Sequence, residues 1–188
     1  MTMKTRTLLL LLISGPSLAA DTAVKAPNPF AGLLPLVGHC WQATFPDGKK
    51  IDTHCFTSVY DGAFINDQHV VCGEGEPYAG ETWYAHDADN NTVNYRYYNS
   101  IGGVSDGTVV TNGEQLLFPD ETYENKGQSI TYRTTWDLSE GQYVSNMWRQ
   151  DATVEGGWVP VWQMVFKQVA LADQSTAVYN EQRQLICQ

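Results

Sequence analysis

The sequence predicts an all-β domain: a closed antiparallel barrel of about 8 to 10 strands with a short C-terminal tail or helix. Three observations lead there. In residues 92–99, Val93, Tyr95 and Tyr97 alternate with Asn94, Arg96 and Tyr98, the period of a strand lying between two environments. Turn-forming clusters recur at short intervals, among them Pro46-Asp47-Gly48, Asp61-Gly62 and Asp87 to Asn91. Trp41, Trp83, Trp136, Trp148 and Trp162 supply the bulk that fills a barrel interior. A two-sheet sandwich satisfies the same alternation; the barrel is preferred because closure leaves no exposed sheet edge.

The chain has 188 residues, enough for one ordinary domain. Lys4 and Arg6 precede the apolar run Leu8 to Ile13, and small residues follow up to Ala20, the order of a secretory signal covering residues 1–20. The run is too short for a stable membrane span. No cysteine stands at the small-residue exit to carry a lipid, so the expectation is a soluble exported protein, periplasmic or extracellular. Removing that segment takes Lys4 and Arg6 from the 11 basic side chains and nothing from the 21 acidic ones, moving the formal charge from −10 to −12. Such acidity argues against a nucleic-acid partner, whose phosphates carry the same sign.

Residues 21–35, with three prolines, read as a linker ending in a short helical turn near Phe30 to Leu34. Residues 36–188 then form a single domain, without tandem repeats. Strands are expected at Val37 to Phe45, Ile51 to Tyr60, Phe64 to Cys72, Thr82 to His86 and Thr92 to Asn99. Later strands are expected at Thr108 to Thr111, Gln115 to Phe118, Ser129 to Trp136, Gln142 to Arg149 and Trp158 to Val169. Pro119 to Gln128 is polar and punctuated by proline and glycine, which predicts a loop. Ala177 to Leu185 fits a short amphipathic helix capping the sheet.

Cys40, Cys55, Cys72 and Cys187 form an even set in a chain expected to reach an oxidising compartment, which points to disulfides. Strand pairing can bring Cys55 to Cys40 or to Cys72, so the connectivity stays open. Cys55 with Cys72 and Cys40 with Cys187 is the preferred arrangement, because it ties the tail to the first strand. The spacing is neither CxxC nor that of a zinc site.

The segment Leu36-Val37-Gly38-His39-Cys40-Trp41 resembles the glycine and tryptophan entry of calycin-like domains, with GxxW in place of GxW. Asp61-Gly62-Ala63-Phe64, Tyr84-Ala85-His86-Asp87 and Tyr97 to Gly103 resemble, in their order, the motifs of a lipocalin-like family of uncharacterised exported bacterial proteins. The resemblance runs from Leu36 to about Phe166. It implies a closed antiparallel barrel with Trp41 as a core plug near one end, and it transfers no catalytic set. Related haem barrels use a histidine in a late strand, and no histidine follows His86 here.

A barrel interior that is not filled holds a small ligand. Trp83, Tyr95 and Tyr97 are candidate walls, together with Met147, Trp148, Trp162, Met164 and Phe166. Arg96, Arg133 and Arg149 are the candidates for an acidic head group. The expected partner is a small amphipathic molecule, with no cofactor and no metal; the alternative is a structural or protein-interaction barrel. Protein partner and oligomeric state are left open. Paired strands can bring some of His39, His54, His69 and His86 to Asp52, Asp67 or Glu74, the groups that metal-assisted or acid-base chemistry uses, yet spacing alone does not establish this. An enzyme would rest on His69 with Asp67 or Glu74, because Ser58, Ser100 and Ser105 lie in no GxSxG nucleophile motif. Asn90-Asn91-Thr92 meets the glycosylation pattern, but its role in the turn accounts for it.

Overall fold

Ten strands, each paired antiparallel with the next in sequence and the last with the first, close a barrel. They are β1 (Cys40–Thr44), β2 (Lys50–Val59), β3 (Phe64–Gly73), β4 (Tyr78–Asp87), β5 (Thr92–Asn99), β6 (Val104–Asn112), β7 (Gln115–Asn125), β8 (Gln128–Ser139), β9 (Gln142–Gln150) and β10 (Trp158–Val169). The structure, a computed structural model, describes residues 28–125, 127–170 and 177–188. The expected signal segment lies outside these residues. Among them, no helix is long and apolar enough to cross a membrane.

Closure is made by β1, which pairs with β2 on one side and with β10 on the other, Cys40 lying opposite both Cys55 and Val169. Alternation then sorts each strand into an inner and an outer face. On β5, Val93 and Tyr95 are buried while Arg96 and Tyr98 are exposed. The Asp87 carboxylate shapes the β4–β5 turn by accepting the backbone N–H groups of Asp89 (3.0 Å) and Asn90 (3.2 Å).

One barrel end is plugged. The described part of the expected linker, residues 28–35, does not span solvent: Phe30 and Leu33 are buried in the main core together with Leu36 at the end of the 3-10 turn Leu34–Leu36. Trp41 lies against this plug and its indole N–H donates to the Leu36 carbonyl at 3.1 Å. Buried tryptophans need such a partner for their N–H.

Three expectations are corrected. The loop predicted at Pro119 to Gln128 is largely strand: β7 runs on to Asn125, and the register shifts between Phe118 and Glu121, so Pro119 falls at an irregularity that demands no N–H from it. The helix predicted at Ala177 to Leu185 is a two-stranded sheet, β11 (Ala177–Tyr179) with β12 (Leu185–Cys187). Its Ala177 and Leu185 bury themselves beside Cys40, Cys55, Val70 and Cys72 in a second, smaller core outside the barrel.

The preferred disulfide pairing is also overturned. Cys40 bonds Cys55, its direct cross-strand partner, and Cys72 bonds Cys187. In the β2–β3 register Cys55 lies opposite Gln68 and Cys72 opposite Ile51, which separates Cys55 from Cys72 by four residues, roughly 13 Å along the sheet and beyond bonding reach. The second bond closes a separation of 115 residues and pins the tail to β3. Replacing Cys72 and Cys187 together by Ser is expected to leave the barrel formed but to lower its unfolding free energy by about 2–5 kcal/mol in urea titrations.

Candidate functional site

The barrel interior carries a short sequence repeat. Asp52-Thr53-His54 on β2 and Asp67-Gln68-His69 on β3 each place a carboxylate and an imidazole two residues apart, hence on one face. The register sets His54 opposite His69, so each histidine lies diagonal to the other strand's aspartate. The imidazoles stack with centroids 4.7 Å apart. His54 Nδ1 meets the Asp67 carboxylate at 2.9 Å and His69 Nδ1 meets Asp52 Oδ1 at 3.2 Å. Asp52 Oδ2 stands 3.4 Å from His54 Nε2 and so joins the two pairs.

The network continues into β4 and β5. His69 Nε2 is 3.0 Å from the Tyr97 hydroxyl, which is hydrogen-bonded in turn to Tyr78. Gly80 makes this contact possible, because a Cβ there would collide with His69 Nε2 and the Tyr97 ring. Gly107 serves Tyr95 in the same way: the phenol lies against it and donates to Glu121 at 2.8 Å.

These groups line a cavity of about 560 Å³, a size suited to a small organic molecule. On β2 and β3 its lining ends inward at His54 and Asp67; the next inward residues, Phe56 and Ile65, are buried beneath it. Towards the other rim it is lined by Lys50, Tyr78, Tyr123 and the half-exposed Val161. The wall from β8 to β10 is mostly apolar, with Trp136, Met147, Trp162, Met164 and Phe166. Tyr143 lines it as well, fully buried, and its hydroxyl has no hydrogen-bond partner among the described residues.

Electrostatics hold the network together. Burial works against charging His54, but the Asp67 and Asp52 carboxylates outweigh it and raise its pKa to about 10. Burial also works against the Asp52 carboxylate, and the His54 and His69 imidazoles more than offset it, holding the carboxyl well below the usual range. Burial pushes the Tyr97 hydroxyl far up, with Tyr78 and Asp52 adding to it.

Of the sequence-predicted ligand residues, Tyr95, Tyr97, Met147, Trp162, Met164 and Phe166 line the cavity. Trp83, Arg96, Arg133, Trp148 and Arg149 do not. Alternation turns four of them outward, beside the inward Tyr84, Tyr95, Thr134 and Met147. Trp83 meets Phe64 edge-on, Arg96 lies over the Tyr98 ring, and Arg133 stacks on Trp158 at 4.1 Å while pairing with Asp120 at 2.7 Å. Arg149 shares the parity of Met147 but sits exposed near the strand end, 3.6 Å from Asp151. A guanidinium facing the cavity would have needed a partner there to offset its desolvation. No arginine lines the cavity among the described residues, so the acidic head group expected from these side chains has no such partner.

Asp52, His54, Asp67 and His69 are all candidates in the sequence, but the pairs expected there, His69 with Asp67 or Glu74, give way to His69 with Asp52 and His54 with Asp67, while Glu74 pairs with Lys49. The signal was present: two Asp-x-His triplets on strands expected to be neighbours. His39 and His86 lie elsewhere, bonded to Gln168 and Asn91.

No family model matches the chain, and no match to it is found among curated proteins.

Gly80→Ala is expected to separate His69 from Tyr97 and to cost about 1–3 kcal/mol in denaturant unfolding, as overpacked cores do. A second expectation concerns alkali. Burial, reinforced by the Asp67 charge, holds the Tyr84 and Tyr143 hydroxyls protonated far above their ordinary value near 10. The unfolded chain releases these protons first, so stability is at its full value below about pH 10 and falls as the pH rises beyond it. The tyrosinate absorbance of these two groups should therefore appear together with the loss of far-ultraviolet circular dichroism, and Tyr143→Phe should reduce that coupled step.

Proposed function

We propose that the chain is an exported lipocalin-like binding protein that takes a small amphipathic molecule into its barrel. The apolar body of the ligand lies against Trp136, Met164 and Phe166, and its polar end against the histidine and carboxylate cluster at the inner end of the cavity. The observation that carries this reading is the cavity itself, about 560 Å³, with the carboxylates and imidazoles of β2 and β3 on one side and Trp136, Met164 and Phe166 on the other. Export is supported by the signal-like start of the sequence and by two disulfides that use all four cysteines.

The polar end differs from the one the arginines suggested. Carboxylates of Asp52, Asp67 and Glu121 stand on the lining, with Lys50 as its single lysine or arginine among the described residues. Such a lining selects hydrogen-bond donors or a cationic or neutral head over a carboxylate.

Native mass spectrometry of gently purified protein is expected to show a bound small molecule. Titration of that molecule, or of a neutral naphthylamine fluorophore, should saturate and quench the cavity tryptophans. Trp162→Ala, at a partly buried residue of the apolar wall, should weaken the recovered ligand roughly 10- to 100-fold, as loss of a covered aromatic contact does. With neither a bound molecule nor saturable binding, the barrel reverts to a structural role.

A further inference from the structure

We propose that Asp52, His54 and His69 form a three-ligand site for one divalent transition-metal ion of the zinc class, with its open coordination position facing the barrel cavity. One ligand atom from each of the three residues lies within 4.8 Å of the others. The closer separations suit a metal between them. Asp52 reaches the two rings through different oxygens, Oδ2 to His54 Nε2 at 3.4 Å and Oδ1 to His69 Nδ1 at 3.2 Å, so its carboxylate would hold the ion with both oxygens, each near the roughly 3.3 Å ligand-to-ligand spacing that bonds of about 2.0–2.1 Å give.

The groups behind the three ligands match the same chemistry. A histidine that binds a metal through one nitrogen donates its other N–H to a carboxylate or similar acceptor, which fixes its tautomer and ring orientation. His54 would bind through Nε2, and its Nδ1–H already faces the Asp67 carboxylate at 2.9 Å. His69 would bind through Nδ1, and its Nε2–H faces the Tyr97 hydroxyl at 3.0 Å. Tyr97 can accept that proton because it has Tyr78 to donate to. Both imidazoles are thus held from behind with their remaining nitrogens turned towards Asp52.

Asp52 and His69 are buried and side-chain exposure of His54 is 13%, so the ion would be shielded from bulk water on all sides but the cavity. Three protein ligands with nitrogen and oxygen donors leave a fourth position for water or for a ligand atom. Of the heads that the lining admits, a neutral one with a lone pair to donate would then take that position. The metal site itself stands on side-chain geometry alone and holds if no amphipathic molecule binds.

The test uses the full oxidised protein, stripped with a chelator and titrated with Zn²⁺ and with Co²⁺ in the absence of any amphipathic molecule. The expected result is one ion per chain, with the visible d–d absorption of four- or five-coordinate cobalt. Imidazole NMR signals of His54 and His69 should move while those of His39 and His86 stay. Asp52→Asn and His69→Gln should weaken binding by at least about 100-fold, and Asp67→Asn by roughly 10- to 100-fold, while His39→Gln leaves it unchanged. Absence of binding overturns the site. So does binding that moves His39 or His86 instead, or that survives Asp52→Asn. The NMR titration of the unsubstituted protein decides the matter should those variants fail to fold. Amphipath binding is measured separately with chelator present, so loss of one activity does not stand for loss of the other.

Discussion

A carboxylate taken into a closed barrel loses its hydration, and the loss is tolerable only where opposite charge and hydrogen bonds replace it. Two aspartates and two histidines meet this condition together, because each imidazole lies diagonal to a carboxylate on the neighbouring strand. Removing any one of the four would leave a buried charge or donor without its complement. The β2–β3 register, the small residue at Gly80 and the inward phenols of Tyr78 and Tyr97 all follow from keeping this set complete. A one-residue slip of β3 would turn Asp67 and His69 outward and bring Gln68 and Val70 into the cavity, leaving Asp52 and His54 unpaired.

The same strands are reinforced from outside. Thr53 and Cys55 alternate with Asp52 and His54 on β2, and Cys72 follows Val71 on β3, so the outer faces of the site strands carry one half of each disulfide. Cys40–Cys55 locks β2 to β1, and Cys72–Cys187 draws the small β11–β12 sheet over the outer face of β3. Leu185 N–H donates to the Gln68 side chain, between Asp67 and His69 in sequence. An apolar layer outside and a charged network inside therefore share one stretch of sheet. A preorganised polar site needs this kind of rigid support, because its geometry is set by backbone positions rather than by the side chains alone.

Most of the fold was legible in the sequence because strands of half-buried sheet write their period directly. Thr92 to Asn99 and Trp158 to Val169 coincide with β5 and β10, and the turn at Asp87 to Asn91 is built by the aspartate that its composition singled out. Misreadings arose where local composition and tertiary pairing disagree. Pro119 looked like a breaker, but a register irregularity absorbs it; Ala177 to Leu185 looked helical, but the exposed side of β1 to β3 offered it a sheet to cover. The site was half legible. Tyr95 and Tyr97 follow from alternation, and the same alternation should have sent Arg96 outward. Joining Asp52 to His69 and Asp67 to His54 required the β2–β3 register, which a turn at Asp61-Gly62 constrains only approximately, and which decides every diagonal pair.

Sidedness gives the cavity its direction. Ionisable side chains gather on β2 and β3 and continue through the phenols of β4 and β5, whereas β8 to β10 present mainly indoles, thioethers and aromatic rings, with the hydroxyls of Tyr132, Thr134, Tyr143 and Ser145 among them. His54 touches both sets: it pairs with the carboxylates and meets the Phe166 ring edge-on at 5.2 Å. The inner end of the cavity is therefore where polar and apolar walls converge, and the plug of Phe30, Leu33 and Leu36 closes the barrel beyond it. A molecule entering from the rim near Lys50 and Val161 meets aromatic surface first and reaches the carboxylate and imidazole cluster of β2 and β3 at depth. An amphipath with its polar end leading matches that gradient, and the reverse orientation would press an apolar end against buried charge.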